Sequence, residues 1–289
     1  MRRTVLPVLL FVPLALLALG GCASSQSRIP GAPGGQNVPS SKRAPGELPG
    51  DETIKNPEVA YNMALEFAGQ QSMEAAHHYI ELAMKLRADA KYSYTEGLFY
   101  LSEARYKEAL THFQRSLDQG PGTQDNRLAV LNAMGVCYKE LGQDEEALAK
   151  FREVVNSPGL FSRYESYYNM GVIYMGQKKN LDAEAVFMKV VDENPGYYKA
   201  YDKLGILEAA RDDWAGAAAS FKKALDILTQ DYGATQSDGA EVYCNYGEAL
   251  YREKLYPQSR DALLQVLKIA PESPYGKRAK EILAQFGGS

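Results

Sequence analysis

Histidine is scarce in this chain of 289 residues, which contains only His77, His78 and His112. None of them has a cysteine, histidine or carboxylate at the sequence spacing of a closed metal site. The sequence also lacks a glycine-rich phosphate loop, a nucleophile elbow and a paired-carboxylate motif. We therefore expect no metal, no cofactor, no small-molecule substrate and no enzymatic activity, and we interpret the histidines as polar residues on helix faces.

Cysteine is equally rare, with three residues at Cys22, Cys137 and Cys244. Small secreted domains that depend on disulfides are dense in cysteine, so this composition excludes a disulfide framework. The repeat assignment below places Cys137 and Cys244 three helical hairpins apart. That separation is well beyond the roughly 7 Å between Cα atoms that a disulfide can bridge, and both residues are predicted to be free, mostly buried thiols.

Long hydrophobic runs are lacking as well. The most apolar stretch, from Val5 to Leu19, contains Pro7 and Pro13 and is shorter than the about 20 apolar residues that a transmembrane helix needs. It follows two arginines and precedes a pair of glycines and a cysteine. This arrangement is typical of a cleaved signal peptide, which we assign to residues 1–21.

The residues Leu19-Gly20-Gly21-Cys22 resemble the lipobox of bacterial lipoproteins, in which the cysteine is acylated and becomes the new N-terminus. This resemblance implies that lipid on Cys22 anchors the mature protein to a membrane without spanning it. Ala23 and Ser24 follow the cysteine, where lipoproteins kept in the inner membrane typically have an aspartate. The resemblance therefore favours the outer membrane, with the protein on its periplasmic face. The alternative is a plain secretory signal with an incidental cysteine.

Positive charge is in deficit, because 36 acidic side chains outnumber 32 basic ones and the signal peptide would remove Arg2 and Arg3. Nucleic acid and anionic lipid headgroups are therefore not expected as partners. Residues 23–55 are rich in Gly, Pro and Ser and have almost no large apolar side chain. Together with Cys22 they predict a flexible, disordered tether, which would span about 30 Å and hold the folded body clear of the membrane.

After Lys55 the sequence repeats, because a small residue is followed twelve positions later by another small residue, six times over. The pairs are Ala64 and Ala76, Gly97 and Ala109, Gly135 and Ala147, Gly171 and Ala183, Gly205 and Ala217, and Gly247 and Ser259. An aromatic residue stands three positions after the first small residue at Phe67, Tyr100, Tyr138 and Tyr174. A large apolar residue follows the second small residue by four positions at Ile80, Phe113, Phe151, Phe187, Phe221 and Leu263. This period predicts helical hairpins, in which small residues allow close helix approach and aromatics fill the space between hairpins.

These residues resemble the tetratricopeptide repeat (TPR) motif over about residues 57–271. The resemblance implies an all-α fold, a right-handed α-solenoid of about six TPR hairpins over residues 56–272, with a capping helix and tail over residues 273–289. Successive first small residues are 33, 38, 36, 34 and 42 positions apart, against 34 in the motif. We therefore expect extra residues in loops near residues 120–126, 157–163 and 229–239. Glu208, Leu250 and Ser259 depart from the motif in the last two repeats.

The first helix of each hairpin lines a concave wall in this fold, so inward-facing residues can be counted from the small residues. The predicted partner-binding groove comprises Tyr61, Leu65, Tyr94, Leu98, Leu101, Val136, Tyr168, Val172, Met175 and Ile206, and the same count adds Asn132, Lys139, Asp202, Cys244 and Tyr251. Carboxylate-clamp TPR domains are similar in fold but carry lysine and asparagine where this chain has mostly tyrosine and leucine. We therefore predict an apolar or strand-like peptide as the ligand. The alternative is that some of these side chains only pack against neighbouring helices.

The segment from Asn156 to Gly171 (NSPGLFSRYESYYNMG) contains Asn, Pro and an aromatic residue followed by Glu-x-x-Tyr-Asn-x-Gly. It resembles the longer connection between the third and fourth hairpins of the TPR lipoproteins that act as pilotins of type IV pili. This resemblance implies a non-enzymatic scaffold that helps an outer-membrane secretin, or another pilus-assembly subunit, to reach and assemble in the outer membrane. The alternative is a lipoprotein adaptor that docks cell-envelope hydrolases or proteases.

Overall fold

The computed structural model describes residues 53–158, 162–232 and 237–286. These residues contain thirteen α-helices and no strand. The helices are α1 (Pro57–Gly69), α2 (Met73–Leu86), α3 (Ala90–Ser102), α4 (Tyr106–Gln119), α5 (Gln124–Glu140), α6 (Asp144–Asn156), α7 (Tyr164–Gly176), α8 (Asn180–Glu193), α9 (Tyr198–Ala209), α10 (Trp214–Tyr232), α11 (Ser237–Arg252), α12 (Tyr256–Ile269) and α13 (Pro274–Gln285). The predicted all-α fold of six hairpins and a capping helix is confirmed. The predicted signal peptide, Cys22 and residues 23–52 of the tether lie outside the described residues.

The helices form two compact units that divide after Gln119. The first unit contains the two hairpins α1–α2 and α3–α4, and the second contains four hairpins and α13. Within the first unit α2 packs against α3, and within the second α6 packs against α7, α8 against α9 and α10 against α11. Within each unit, adjacent hairpins thus bury their apolar faces against one another, as in a helical solenoid.

Short polar residues begin several helices, and prolines follow the ends of others. Side chains accept a hydrogen bond from a backbone N–H at the start of α1, α3, α5 and α13, where the capping residues are Asn56, Asp89, Thr123 and Ser273. The ends of α4, α6, α8 and α12 are followed by Pro121, Pro158, Pro195 and Pro271, two residues after the last helical residue in each case. Proline cannot continue a helix, so these residues separate the hairpins.

The turn inside each hairpin has the same backbone conformation six times. In each hairpin, the residue seven positions after the first small residue has a left-handed backbone, with φ between 58° and 71°. These residues are Gln71, Ala104, Gly142, Lys178, Asp212 and Lys254. The next residue donates its N–H to a carbonyl five positions earlier at 2.8–3.0 Å, for example Lys179 to Tyr174 and Asp213 to Glu208. This is the hydrogen bond of a Schellman motif, which ends the first helix and turns the chain into the second. Because only a carbonyl is required, Glu208 and Leu250 serve at the position where the other hairpins have an aromatic residue.

Close packing between the two helices of a hairpin is set by a pair of residues sixteen positions apart. Five of the six first small residues are glycines, and a Cβ built on any of them would lie 2.5–2.7 Å from the large side chain of the second helix. The pairs are Gly97 and Phe113, Gly135 and Phe151, Gly171 and Phe187, Gly205 and Phe221, and Gly247 and Leu263. The first hairpin has Ala64 and Ile80 instead, and both are fully buried. The predicted close approach at the small residues is confirmed.

The longer repeat spacings lengthen helices at two of the three places where loops were expected. Residues 120–123 are non-helical as expected, but α5 already begins at Gln124; α10 extends to Tyr232 and α11 begins at Ser237, so residues 229–232 and 237–239 are helical. After Gly216, α10 contains neither proline nor glycine, so nothing in its sequence ends it at the usual length. Residues 157, 158, 162 and 163 are non-helical, as expected for the third insertion. The assignment of residue 54 to the tether is also corrected, because Ile54 packs against the core of the first unit.

The two cysteines in the described residues are free and buried, as predicted. Burial raises the pKa of Cys137 to about 12 and that of Cys244 to about 11. Neither thiol therefore forms much thiolate at neutral pH. Among the described helices, none combines the length and the hydropathy that are needed to cross a membrane.

A methyl group at Gly171 should destabilise the fourth hairpin, because it would lie 2.5 Å from a ring atom of Phe187. We expect Gly171→Ala to lower the free energy of unfolding by about 1–3 kcal/mol, the range typical of overpacking. Adding Phe187→Ile recreates the Ala64 and Ile80 pair of the first hairpin and should restore part of the loss. Urea denaturation of the single and double variants measures both effects, and fully additive losses would contradict a direct contact between the two positions.

Candidate functional site

The ten side chains of the predicted groove lie on the first helices of the hairpins, and all ten are partly exposed. Five of them form the exposed face of α1 and α3 in the first unit, called the first wall: Tyr61, Leu65, Tyr94, Leu98 and Leu101. The other five lie on α5, α7 and α9 in the second unit and form the second wall: Val136, Tyr168, Val172, Met175 and Ile206. The two walls thus belong to different units.

Helix α3 illustrates how one helix serves both a core and a wall. Tyr92 and Phe99 are at most 1% exposed and fill the core of the first unit, whereas Tyr94 and Leu98 remain partly exposed. The helical repeat of 3.6 residues places these two pairs on different sides of the helix. The exposed pair is therefore available to a partner while the buried pair stabilises the fold.

The wall residues are also supported from behind. The ring of Tyr61 lies 5.2 Å from that of Tyr92, and the Tyr61 hydroxyl lies 3.4 Å from Thr95 Oγ1. Tyr94 contacts Phe113 with ring centroids 5.8 Å apart, and Tyr168 contacts Phe187 at 5.7 Å. The alternative of packing against neighbouring helices is thus correct for part of each ring, and each of the three side chains remains partly exposed.

Two residues that the count also placed on the wall are buried, which corrects that prediction. Asp202 is 3% exposed and accepts hydrogen bonds from Lys203 at 2.8 Å and from Asn245 at 3.2 Å. Cys244 is 1% exposed, and its thiol donates to the carbonyl of Tyr275 on α13 at 3.6 Å. The capping helix packs against α11 and covers Cys244 there.

The second wall has more polar groups than the count from the small residues indicates. Lys139 donates to Asn169 at 2.9 Å between α5 and α7, and Lys203 lies 3.5 Å from Glu241 between α9 and α11. Burial raises the pKa of Asp202, and the adjacent Lys203 ammonium opposes that shift. Burial acts to lower the pKa of Lys203, but the carboxylates of Asp202 and Glu241 raise it overall. The residues directly after three predicted wall positions are Asn169, Lys203 and Asn245. Including the residue that follows each predicted wall position would have found these polar groups from the sequence.

The interpretation of the histidines as residues of polar helix faces is wrong for His77. Its Nδ1 lies 2.8 Å from Glu96 Oε1 and its Nε2 3.2 Å from Glu103 Oε2, between α2 and α3. The Glu96 side chain is fully buried, and burial raises its pKa while His77 opposes the shift. Among the described residues, no group of three or more His, Cys, Asp or Glu side chains is arranged to hold a metal ion. We interpret the His77 pair as a contact that joins the first two hairpins.

Helix pairs that stack on their neighbours and present their first helices as one face define a helical-repeat scaffold. Family profiles described as tetratricopeptide repeat match residues 90–157, 164–197 and 197–272, together more than half of the chain. The chain therefore belongs to the tetratricopeptide repeat family.

Several solved structures share this fold. PilF of Pseudomonas aeruginosa is similar with a TM-score of 0.65 and 17% identity, covering 79% of this chain and 97% of PilF. PilW, described as a widely conserved type IV pilus biogenesis factor, has a TM-score of 0.64 and 17% identity. The alignment covers 76% of this chain and 96% of the PilW chain. MamA of Desulfovibrio magneticus RS-1 has a TM-score of 0.52 and 21% identity. The alignment covers 61% of this chain and 97% of the MamA chain. No protein with curated annotation matches the sequence significantly. At these identities the likeness shows the fold alone.

Glu58, at the start of α1, is the centre of a charged cluster that joins α1 to α3. It lies 2.7 Å from Lys91 Nζ, accepts a hydrogen bond from the Tyr92 hydroxyl at 2.8 Å and pairs with the Arg87 guanidinium. Partial burial acts to raise the pKa of Glu58, but the hydrogen bonds from Lys91, Tyr92 and Arg87 outweigh it and lower the pKa to about 2. Lys91 Nζ also lies 5.1 Å from the centre of the Tyr61 ring, so the cluster helps to position the first wall.

Because the folded-state pKa of Glu58 lies below the ordinary value of 4.5, its carboxylate stabilises the fold above pH 4.5. That contribution is lost as the pH falls from about 4.5 towards 2. We expect Glu58→Gln to lower the melting temperature at pH 7, with a difference from the unmodified protein that shrinks through this window. Thermal unfolding between pH 7 and pH 2 measures it, with Glu66→Gln on the same helix as the control. A difference that does not change with pH would count against the charged cluster.

Proposed function

We propose that this protein is a lipid-anchored scaffold of the outer membrane, a pilotin that assists the localisation and assembly of a type IV pilus secretin. The observation that carries the proposal is the partial exposure of ten mostly large apolar and tyrosine side chains on the first helices. Contiguous exposed apolar side chains are typical of surfaces that bind other proteins. The similarity in fold to PilF and PilW supports the choice of pilus assembly as the process.

The chemistry of the two walls suits an apolar segment of a partner. A tyrosine or leucine that is already held from behind loses little conformational freedom on binding, so more of the gain from burial is retained. Covering an exposed leucine side chain contributes about 1.5–3 kcal/mol when burial is complete. A few such anchors near the centre of an interface usually dominate the binding energy.

The anchor part of the proposal requires lipid on Cys22. We expect Cys22→Ala to yield a soluble or uncleaved protein that no longer fractionates with the outer membrane, because the thiol that would accept the lipid is absent. Metabolic labelling with palmitate and membrane fractionation measure this outcome. Labelled palmitate on the Cys22→Ala protein would overturn the assignment of the anchor.

The binding part of the proposal is tested on the first wall with the double variant Leu65→Glu and Leu98→Glu. Both side chains are partly exposed, so two carboxylates should be tolerated by the fold but not by a desolvated contact with a partner. We expect loss of secretin multimers on denaturing gels, while helical circular dichroism and membrane localisation stay unchanged.

The matched control is the charge exchange Glu146→Lys with Lys150→Glu on α6, a second helix whose residue 146 is exposed. This control should form normal multimers. Normal multimers with the Leu65 and Leu98 variant would remove the first wall from the mechanism. Co-purification of a cell-envelope hydrolase or protease in place of a secretin would favour the adaptor alternative.

A further inference from the structure

Helix α8 carries the two most exposed large apolar side chains among the described residues. Leu181 is 80% exposed and Met188 is 55% exposed, and Ala185 between them is exposed as well. The three residues are four and three positions apart, so they form one stripe along two turns of the helix, about 10 Å long. Another side of the same helix, with Phe187 and Val190, is fully buried in the core. The stripe is therefore an open apolar face of the second unit.

Comparison of the repeats shows that this stripe belongs to the fourth hairpin alone. Leu181 stands two positions before the second small residue of its hairpin, and Met188 stands five positions after it. The other hairpins have at these two positions Glu74 and Glu81, Lys107 and Gln114, Glu145 and Arg152, Ala215 and Lys222, and Pro257 and Leu264. Only the fourth hairpin has a large apolar side chain at both, so the repeat fold itself does not require the stripe.

Charged side chains accompany the stripe in an order that complements its own reverse. Asp182 and Lys189 lie on one side of the stripe, seven positions apart, and both are exposed. Lys178 lies just before α8 and Asp192 lies in its last turn, and both are exposed as well. Lys189 Nζ lies 5.1 Å from the centre of the Tyr167 ring. Each acidic residue thus stands nearly as far from Ala185 as a basic residue does in the opposite direction.

A two-fold axis next to Ala185 would bring these complementary groups together between two copies of α8. In an antiparallel pair of helices, positions at nearly equal distances before and after the axis lie opposite each other. Three kinds of pair then form, each of them twice: Leu181 with Met188, Asp182 with Lys189, and Lys178 with Asp192. A single helix face therefore supplies both its apolar and its charged contacts to a copy of itself.

A parallel pairing of two α8 helices is disfavoured by the same charges. It would place Asp192 beside Asp192 of the second copy and Lys178 beside Lys178, and like charges in contact repel. Glu184, on the other side of the stripe, is held within its own chain by Arg211 at 2.7 Å. It is therefore not free to pair with Lys189 of a parallel copy.

We infer that α8 is a self-association surface, on which a second copy of this chain docks antiparallel through Leu181, Ala185 and Met188. The small side chain of Ala185 allows the two helices to approach closely, and the larger side chains fill the space on both sides of it. One helix face covers less than the about 800 Å² per partner of a standard interface, so the dimer is weak. None of the ten wall residues lies on α8, so this inference does not depend on the proposed function.

The position of the axis is tested with Ala185→Cys, because a disulfide forms only between residues whose Cα atoms come within about 7 Å. Oxidation of cells that produce the full-length protein should give a disulfide-linked dimer on non-reducing gels. The matched control is Ala149→Cys on α6, an exposed alanine at the same repeat position between Glu145 and Arg152. Both variants retain the three native cysteines, so the control measures their background. Equal dimer yields from the two variants would overturn the inference.

The apolar contact is tested by adding Leu181→Glu and Met188→Glu to the Ala185→Cys protein. We expect the yield of cross-linked dimer to fall at least about tenfold, because carboxylates would meet across the axis in place of apolar side chains. Helical circular dichroism should be unchanged, since both positions are exposed. Leu264→Glu, at the repeat position of Met188 on α12, should keep the yield. An unchanged yield in the Leu181 and Met188 variant would remove the stripe from the contact.

Charge reversal distinguishes a second copy of this chain from an apolar segment of another protein. In the Ala185→Cys protein, Asp182→Lys alone or Lys189→Asp alone places like charges opposite each other twice, and either should lower the dimer yield at least about fivefold. The double variant Asp182→Lys with Lys189→Asp restores opposite charges across the axis and should recover the yield. A double variant that stays as low as the single variants would overturn the antiparallel pairing. A cross-link to a different protein in place of the dimer would overturn the second copy as the occupant.

Discussion

The close approach of two helices at a small residue is the contact on which the rest of this structure depends. In five hairpins a glycine on the first helix leaves room for a phenylalanine or leucine sixteen residues later, and in the first hairpin an alanine faces an isoleucine. The large side chain is at most 2% exposed in every case. Since interiors are packed at crystal-like density, the size of one member of the pair determines the size of the other. Each hairpin therefore has one arrangement of its two helices.

That arrangement also determines which side chains a partner can reach. Once the second helix covers one side of the first helix, and the next hairpin covers another, the remaining side is left for solvent. Tyr61, Leu98 and Tyr168 lie on that side, and the buried rings of Tyr92 and Phe187 support the two tyrosines from behind. The exposure of the two walls is thus a consequence of hairpin stacking, and a helical-repeat protein acquires a binding surface from the same contacts that stabilise it.

Glutamates recur at the same position of the repeat, but whether each one forms an ion pair depends on the side chains of the neighbouring hairpin. Glu58 and Glu165 occupy equivalent positions, and the first is surrounded by Arg87, Lys91 and Tyr92, which lower its pKa. The second is contacted by the Tyr164 hydroxyl, and burial raises its pKa. A repeated backbone can therefore present an ion pair in one unit and, among the described residues, a carboxylate without a basic partner in the other, because the partner residues come from the following hairpin and vary independently.

The sequence by itself determined the helical hairpins, their order and their cores, since the small and large residues recur at spacings that only one helix pairing can satisfy. It also predicted the buried free thiols of Cys137 and Cys244, and it picked out ten positions on the first helices that the structure leaves partly exposed. Burial and charge pairing that involve helices far apart in the chain could not be predicted from the pattern of a single repeat. The tertiary structure alone decided that α13 covers Cys244, that Asp202 is buried with Lys203 and Asn245, and that His77 joins Glu96 between two hairpins. It also decided that Glu165 has no basic neighbour among the described residues. The reason is physical: a local period determines which side of a helix faces its own hairpin, whereas exposure and charge pairing depend on whichever side chains the next helices bring to that place.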